Sequence, residues 1–254
     1  MWLIETILVA ISTYSAVPVP QFPWTEKNTR YAIAAFPVVG LLCAGALMAW
    51  YALCLWLQVE PLLFGVVAAC LPLLVSGGIH MDGFMDTVDA LASHQPREKK
   101  LVILKDSTCG AFAVMFCGVY LLLSVGFYVA LYPGRGIWVV APLFILSRGF
   151  SALCAVTMPN ARGSGMLCSF TQHVHQRYAV VVACGWILAG AVWALWVSPV
   201  CGGAALACAG LSVVYYRYKA TKEFGGVTGD TAGFFLQLCE LCVLLGAWIG
   251  GQLL

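Results

Sequence analysis

Three aspartates recur within one short stretch of the chain, and they are the side chains best suited to chemistry. Asp82, Asp86 and Asp89 are spaced i, i+4 and i+7, so a helix would carry all three carboxylates on one face. Three like charges on one stripe repel one another unless a cation lies among them. Mg²⁺ takes oxygen ligands and commonly bridges carboxylates to substrate phosphates. The spacing therefore predicts a magnesium site for phosphoryl transfer, in which Asp82 and Asp86 are also catalytic. An acidic helix start that offsets the helix dipole is the alternative.

The residues around these aspartates fit the same site. His80 precedes Asp82 by two residues, which makes it a candidate base or positioning group. Gly77, Gly78 and Gly83 would allow the backbone to approach a bound substrate closely.

Further charged residues lie at separate points along the chain. Lys105 beside Asp106 could bind phosphate and support the metal site, although an ordinary basic loop is the alternative. Arg148 lies within an apolar stretch, where it needs an acidic or phosphate partner. Arg162 lies on a glycine-rich loop that could approach a diphosphate. Glu240 should face the interior of a helical bundle.

A glycine-rich segment precedes the last apolar stretch. Gly225, Gly226, Thr228 and Gly229 favour a backbone cradle for an anion. Asp230 follows directly and is predicted to be a helix cap, a metal ligand, or both.

The composition sets the class of protein that must position these residues. Hydrophobic residues make up 62% of the 254 residues and charged residues only 9%, with a mean hydropathy of +0.92. A soluble domain of this length would need more charge to cover its surface. The net charge is +2 without a basic tail, which argues against a nucleic-acid partner. We therefore expect an all-α, polytopic bundle of helices in a lipid bilayer.

Uncharged runs long enough to cross a bilayer predict about seven transmembrane helices. Pro18 and Pro20 would end an additional apolar helix at the N-terminus, which spans the membrane or lies at its interface. No linker or repeat divides the chain, so residues 1–254 are expected to form a single membrane-embedded catalytic domain. The predicted spans are Tyr31–Val59, Pro61–Ile79, Ser107–Gly134, the stretch from Gly136 past Arg148, two spans within Ala179–Tyr216 separated at Ser198-Pro199, and Thr231–Leu254.

The basic residues give these spans an orientation. With the segment before the first span in the cytoplasm, eleven of the thirteen Lys and Arg residues fall on the cytoplasmic side. Arg135 and the intramembrane Arg148 are the exceptions. The orientation places the aspartate stripe at the cytoplasmic face.

The motifs described above resemble those of a known family. The segment GGIHMDGFMDTVDAL resembles the H-x-D-G-x-x-D-x-x-D signature of cobalamin synthases, also called adenosylcobinamide-GDP ribazoletransferases. The resemblance extends in order over nearly the whole chain. Its other motifs are Val17–Pro20, Lys105-Asp106-Ser107 with Gly110, Ser147-Arg148, Ala161-Arg162-Gly163 with Gly165, and Gly225–Asp230 with Glu240.

The resemblance implies a reaction, a cofactor and a location. An enzyme of this family would join α-ribazole or its 5′-phosphate to adenosylcobinamide-GDP, release GMP, and give adenosylcobalamin or its phosphate. It would require Mg²⁺ and lie as a multi-pass protein in the cytoplasmic (inner) membrane with its active site facing the cytoplasm. A homo-oligomer and an association with other cobalamin-pathway enzymes stay open.

Two positions depart from the pattern of the family. Ser15-Ala16 replaces a Thr-Arg pair, and Thr108 replaces an arginine after the Asp-Ser pair. Both changes would remove a contact to phosphate.

The residues and the resemblance together suggest a mechanism. The three aspartates would hold Mg²⁺ against the diphosphate, while Arg148, Arg162 and Lys105 neutralise developing charge. His80 or one of the aspartates would accept the proton of the ribazole hydroxyl.

Two other functions remain open from the sequence. A CDP-alcohol-type phosphotransferase also places aspartates on membrane helices, but it uses a D-G-x-x-A-R pattern, whereas Asp86 stands third after Gly83 here. A transporter would line a polar pathway with such residues, but transporters commonly show inverted repeats.

Overall fold

A computed structural model describes residues 2–254, except for the side chains of Trp2 and Lys27, so the basic charge assigned to Lys27 lies outside the described part. Fourteen α-helices and one π-helical turn account for the regular structure of these residues, and they include no strand. The predicted all-α class is confirmed. The helices are α1 Trp2–Tyr14, α2 Glu26–Thr29, α3 Ala32–Ala35, α4 Pro37–Leu57, α5 Pro61–Ser76, α6 Ile79–Ala92, α7 Arg97–Ile103, α8 Ala111–Leu131, α9 Gly136–Val140, α10 Leu143–Thr157, α11 Met166–Thr171, α12 Gln176–Val197, α13 Pro199–Lys219 and α14 Gly229–Gln252; the π-helical turn is Ala220–Phe224.

Six helical segments of the described chain are long and apolar enough to cross a membrane. A seventh crossing results if α5 and α6 together count as one broken span. The chain is therefore a multi-pass membrane protein, as predicted. The six segments are Ala32–Leu57, Ala111–Leu131, Gly136–Thr157, Gln176–Val197, Pro199–Phe224 and Gly229–Gln252.

The predicted span Pro61–Ile79 ends earlier than expected. Helix α5 stops at Ser76, and α6 begins at Ile79 after a bend of 96°. Gly77 and Gly78 form the bend with φ angles of 64° and 82°, a left-handed conformation that favours glycine. The bend turns the helix with the aspartate stripe away from the direction of α5.

Helix α14 forms the centre of the bundle. It packs against α13, α6, α10 and α8, while α10 also packs against α4 and α12. Large apolar side chains such as Leu122, Val181 and Leu211 point outward and are more than two-thirds exposed. Such side chains on the outer face of a bundle are solvated by lipid tails, so they support the membrane location.

The N-terminal helix α1 is apolar but has only 13 residues, fewer than the ~20 that a crossing needs. It packs against α2, α3 and α4. Val9 and Tyr14 of α1 join Phe36 and Leu236 in a small hydrophobic cluster of their own. Helix α1 therefore lies against the α3–α4 end of the bundle, close to the start of α6.

The segments that follow α6 and α13 are held together. Lys100 of α7 forms a salt bridge of 2.5 Å with Glu223 of the π-helical turn. Ala90, Leu104 and Phe224 pack in a small apolar cluster beside it. These contacts fix the end of α6 next to the segment that leads into α14, and so bring the two acidic motifs to the same end of the bundle.

Candidate active site

A cavity of about 250 Å³ lies where α1, α3, α6, α10 and α11 meet the start of α14. Six of the residues predicted from the sequence line it: His80, Asp82, Arg162, Thr228, Gly229 and Asp230. The structure thus brings the first and the last motif of the chain together, although 150 positions separate His80 from Asp230.

Two glycines allow α6 and α14 to cross at this point. A Cβ atom on Gly83 would lie 2.8 Å from Asp230 Cα, and one on Gly233 would lie 2.8 Å from the carbonyl oxygen of His80. Both neighbours are backbone atoms, which cannot move aside as a side chain can. Phe84 stacks on Phe234 beside the crossing, with ring centroids 5.6 Å apart. Gly83 therefore permits the approach of the two helices and does not line the cavity.

Helix α14 begins with a capping box. Thr228 Oγ1 accepts a hydrogen bond from Thr231 N (3.1 Å), and Thr231 Oγ1 accepts one from Thr228 N (2.8 Å). The reciprocal bonds fix the first turn of the helix. Asp230 lies in that first turn, where a carboxylate is stabilised by the helix dipole. Thr228 rather than Asp230 is the cap.

Arg162 forms an ion pair with Asp230. Its Nη1 lies 2.9 Å from Asp230 Oδ2. The loop that carries Arg162 is held by Asn160, whose Oδ1 accepts hydrogen bonds from the backbone N–H of Arg162 (3.0 Å) and of Gly163 (2.8 Å). Arg162 Nε and Nη2 are buried and have no hydrogen-bond partner among the residues that the structure describes. Two donors of the guanidinium thus remain available for an anion, in the fork geometry that suits phosphate.

The three aspartates of the stripe are on α6, as predicted, but they have different surroundings. Asp89 accepts hydrogen bonds from Gly110 N (2.6 Å) and Ala113 N (2.9 Å), so both of its oxygens bind the start of α8. Asp82 and Asp86 take part in no salt bridge within the described residues. Asp86 lies within electrostatic reach of Asp82, Asp230 and Asp89.

These carboxylates do not form a ready-made metal cluster. Among the described residues, no group of three His, Cys, Asp or Glu side chains is arranged to hold a metal ion. Asp89 is occupied by the cap of α8 and Asp230 by Arg162. Among the described residues, no hydrogen-bond donor and no cation pairs with the carboxylates of Asp82 and Asp86.

Lys105 and Asp106 lie outside the cavity, in the exposed loop between α7 and α8. Asp106 accepts hydrogen bonds from the side chain of Thr108 (2.7 Å) and from its backbone N–H (2.9 Å). These bonds lower the pKa of Asp106. Thr108, which departs from the pattern of the family, is therefore the partner of Asp106 here.

Arg148 has the acidic partner that its burial required. It is 1% exposed, and its Nη1 forms an ion pair with the buried Glu240 and a hydrogen bond of 3.0 Å with Ser147 Oγ. Glu240 faces the interior of the bundle, as predicted. Because Arg148 is enclosed in the bundle and does not line the cavity, its position does not support the predicted contact with substrate.

Four of the glycines predicted to bind substrate form turns instead of lining the cavity. Gly77 and Gly78 make the bend between α5 and α6. Gly225 has a φ of 77° and lies against the guanidinium of Arg97, while Gly226 lies against the carbonyl oxygen of Pro159. The predicted backbone cradle is therefore reduced to Thr228 and Gly229 at the cavity wall.

Most of the other residues that line the cavity carry no recognisable motif in the sequence. Tyr14 comes from α1, Ile33 from α3 and Phe36 from the position just before α4, where an apolar side chain carries no signal of function. Asn160, Ser164 and Gly165 belong to the glycine-rich loop that was predicted together with Arg162. The additional lining residues are Tyr14, Ile33, Phe36, Ile79, Ser151, Asn160, Ser164, Gly165, Met166, Leu167, Ala232, Gly233 and Leu236.

The fold and the cavity define a multi-pass helical membrane protein with carboxylates, a guanidinium and a histidine gathered at one end of its bundle. The chain belongs to the cobalamin-5-phosphate synthase family, since the model of that family matches residues 6–248. The resemblance expected from the aspartate motif is thereby confirmed.

Curated relatives agree with this family. The chain is 37% identical over 240 residues to adenosylcobinamide-GDP ribazoletransferase of Lachnoclostridium phytofermentans, covering 94% of this chain and 91% of the relative. It is 33% identical over 244 residues to the enzyme of the same name from Halalkalibacterium halodurans, covering 92% of each chain. The enzyme of that name from Desulfitobacterium hafniense is 33% identical over 245 residues, covering 94% of this chain and 95% of the relative. No solved structure matches the chain.

Proposed function

We propose that the chain catalyses transfer of a phosphocobinamide group from adenosylcobinamide-GDP to α-ribazole or its 5′-phosphate. A ribose hydroxyl oxygen attacks the phosphorus that carries the cobinamide, and a new P–O bond forms. The bond from that phosphorus to the bridging oxygen of the diphosphate breaks, so that GMP leaves. The product is adenosylcobalamin or its 5′-phosphate. Family membership and the names of the relatives support this reaction.

The main support from the site is Arg162. It lines the cavity together with Asp82 and Asp230, and two of its buried nitrogens donate to no group among the described residues. A buried donor without a partner costs about 1–3 kcal/mol, more for a charged group, so a fold that retains one generally supplies a ligand for it. A phosphate oxygen is the acceptor that matches a guanidinium. Arg162 would thus bind the diphosphate and offset the charge that develops during transfer.

The residues also fit Mg²⁺, provided that the substrate supplies part of its coordination. Asp82 and Asp86 offer hard oxygen donors without a competing ion pair. Mg²⁺ is usually bound by one or two carboxylates together with substrate phosphates and water, so a preformed three-carboxylate cluster is not required. When bound, the ion would neutralise charge on the diphosphate and on the departing GMP. Asp82 and Asp86 would hold it, and Asp230 would keep Arg162 in place.

The proton of the attacking hydroxyl would go to a group on the cavity wall. His80 and Asp82 both line the cavity without an ion pair, and His80 Nε2 has no hydrogen-bond partner. Either group lies on α6, whose position is fixed against α14 by Gly83 and Gly233.

Most of the donor substrate must lie outside the cavity, because a corrin ring is too large for about 250 Å³. The loop of Lys105 adjoins the acidic face of α6, since Gly110 at its end is bound to Asp89. Lys105 would contact the donor where it extends beyond the cavity, a role in keeping with its exposure.

The site would face the cytoplasm from the cytoplasmic membrane. Basic residues surround the segments at this end, including Arg97, Arg217 and Lys222. The positive-inside rule assigns such segments to the cytoplasm, where guanine nucleotides occur.

GMP release tests the proposal. Purified protein in detergent micelles is supplied with adenosylcobinamide-GDP alone, α-ribazole alone, or both, with and without Mg²⁺. We expect GMP and a phosphodiester-linked product when both substrates and Mg²⁺ are present. Monodisperse protein that forms no product under any of these conditions would contradict the proposed function.

A further inference from the structure

Three aromatic rings form one end of the cavity. Tyr14 of α1 and Phe36 have ring centroids 4.5 Å apart, and Phe36 meets the ring of His80 edge-on at 5.6 Å. Tyr14 and His80 are near parallel, with centroids 6.5 Å apart. All three residues line the cavity, together with the apolar side chains of Ile33 and Leu236. This end of the cavity therefore suits a flat, largely apolar group.

Two polar atoms within this aromatic wall have no partner. Tyr14 is 8% exposed and His80 is 6% exposed, and neither the Tyr14 hydroxyl nor His80 Nε2 makes a hydrogen bond within the described part of the chain. A buried polar group of this kind costs free energy unless a ligand or water satisfies it. Both residues line the cavity, so a bound molecule would lie next to the side chains that carry these atoms.

We infer that the aromatic end of the cavity binds the base of the acceptor nucleoside. The inference rests on the proposed function, since the acceptor there is ribazole, a riboside of a dimethylated benzimidazole. That base is flat and apolar at its methylated edge, and it has a single free ring nitrogen that accepts a hydrogen bond. The Tyr14 hydroxyl donates to this nitrogen, and the ring packs against Phe36.

The guanine of the donor fits this wall less well. The edge of guanine carries several hydrogen-bond donors and acceptors, and each would need a polar partner when buried. Side chains such as Ile33, Leu167 and Leu236 provide none. The aromatic end offers two unpaired polar atoms, on Tyr14 and His80. A base with a single acceptor nitrogen therefore buries fewer unpaired polar atoms at the aromatic end than guanine would.

The position of the base also orients the reacting group. His80 and Asp82 are two residues apart on α6, and the cavity continues from the aromatic wall to Asp82, Arg162 and Asp230. A nucleoside with its base against Tyr14 would extend its ribose toward these charged side chains, where the diphosphate is bound. The N-terminal helix α1, which is too short to span the membrane, thus contributes to the substrate site.

Acceptor analogues test this inference. The KM values of α-ribazole and of the corresponding indole riboside, in which C–H replaces the free ring nitrogen, are measured for the wild-type protein, for Tyr14→Phe and for Phe36→Leu. We expect the wild type to have a KM about tenfold lower for α-ribazole than for the indole riboside, as one hydrogen bond predicts. Tyr14→Phe should abolish this preference. Phe36→Leu should raise the KM of both acceptors. The KM of adenosylcobinamide-GDP should stay within twofold in each variant.

Tyr215→Phe serves as the matched control, since Tyr215 is 44% exposed on α13 and does not line the cavity. It should leave every KM unchanged. A preference for α-ribazole that survives in Tyr14→Phe, or a KM of the donor that rises instead, would overturn the inference.

The design separates this inference from the proposed function. If the wild-type protein makes no product, the proposed function fails, and binding of α-ribazole is then measured directly by calorimetry. Binding that weakens about tenfold in Tyr14→Phe would support the subsite. Absent binding, or equal binding by the wild type and Tyr14→Phe, would refute it.

Discussion

Replacement of Arg162 by lysine probes the anion site most sharply, because it keeps the positive charge and removes the fork. In the wild-type structure Arg162 Nη1 lies 2.9 Å from Asp230, and the other two guanidinium nitrogens have no partner among the described residues. A lysine amine that stays with Asp230 would retain at most one contact to the phosphate. Each charge-assisted hydrogen bond contributes about 1.5–3 kcal/mol.

The loss of one such bond in the transition state corresponds to a fall in kcat/KM of about 10- to 150-fold. The assay is GMP release at limiting adenosylcobinamide-GDP, which gives kcat/KM for the donor directly. Arg135→Lys is the control, since Arg135 lies between α8 and α9, at the opposite end of the bundle from the predicted cytoplasmic loops. Arg162→Lys with kcat/KM within twofold of the wild type would refute the role of the unpaired N–H groups.

Three further substitutions test separate parts of the structure. Gly83→Ala should abolish GMP release without preventing membrane insertion. The new Cβ would lie 2.8 Å from Asp230 Cα and would force α6 away from α14. GMP release by monodisperse protein is the measurement. Arg148→Met alone leaves Glu240 buried without its partner and should destabilise the protein by about 3–5 kcal/mol. The double variant Arg148→Met with Glu240→Leu should recover much of this stability. Thermal unfolding in detergent measures both effects. Asp86→Asn should raise the Mg²⁺ concentration that gives half-maximal GMP release by about tenfold, measured by a magnesium titration.

Each of these substitutions has a control and a contradicting result. Gly126→Ala on α8 should be fully active, because a Cβ there would meet nothing within 4 Å; equal activity of Gly83→Ala would contradict the close crossing of α6 and α14. A double variant of Arg148 and Glu240 no more stable than the single variant would contradict the desolvation argument. Glu60→Gln, in the exposed turn before α5, should leave the magnesium titration unchanged, and an unchanged titration in Asp86→Asn would remove that residue from the metal site.

The sequence predicted the helices and the principal motif because both depend on local patterns. Apolar runs of sufficient length became spans, and the i, i+4, i+7 spacing placed three aspartates on α6. The acidic partner of Arg148 was also predictable, since a buried guanidinium in an apolar bundle requires a counter-charge, and Glu240 was available. Hydropathy could not locate the 96° bend after Ser76, because the apolar run continues past it.

The sequence could not show which of the site residues bind substrate and which only support the fold. A helical stripe shows that Asp89 shares a face with Asp82, but not that the start of α8 would occupy its carboxylate. Glycines that appeared suited to a ligand were used for turns and for helix crossing, because both uses demand the same lack of a side chain. Tyr14 and Phe36 resembled any apolar residue of a membrane protein until tertiary packing placed them beside His80.

Comparison of GMP release by the wild type and by Asp82→Asn tests whether phosphoryl transfer occurs at the cavity between α6 and α14. Asp82 lines the cavity, and its carboxylate forms no ion pair with any described residue, so the Asp82→Asn variant should fold like the wild type while losing the charge. We expect Mg²⁺-dependent GMP release by the wild type and a rate at least about 100-fold lower in Asp82→Asn. Equal rates in the two proteins would show that the reaction occurs elsewhere in the molecule.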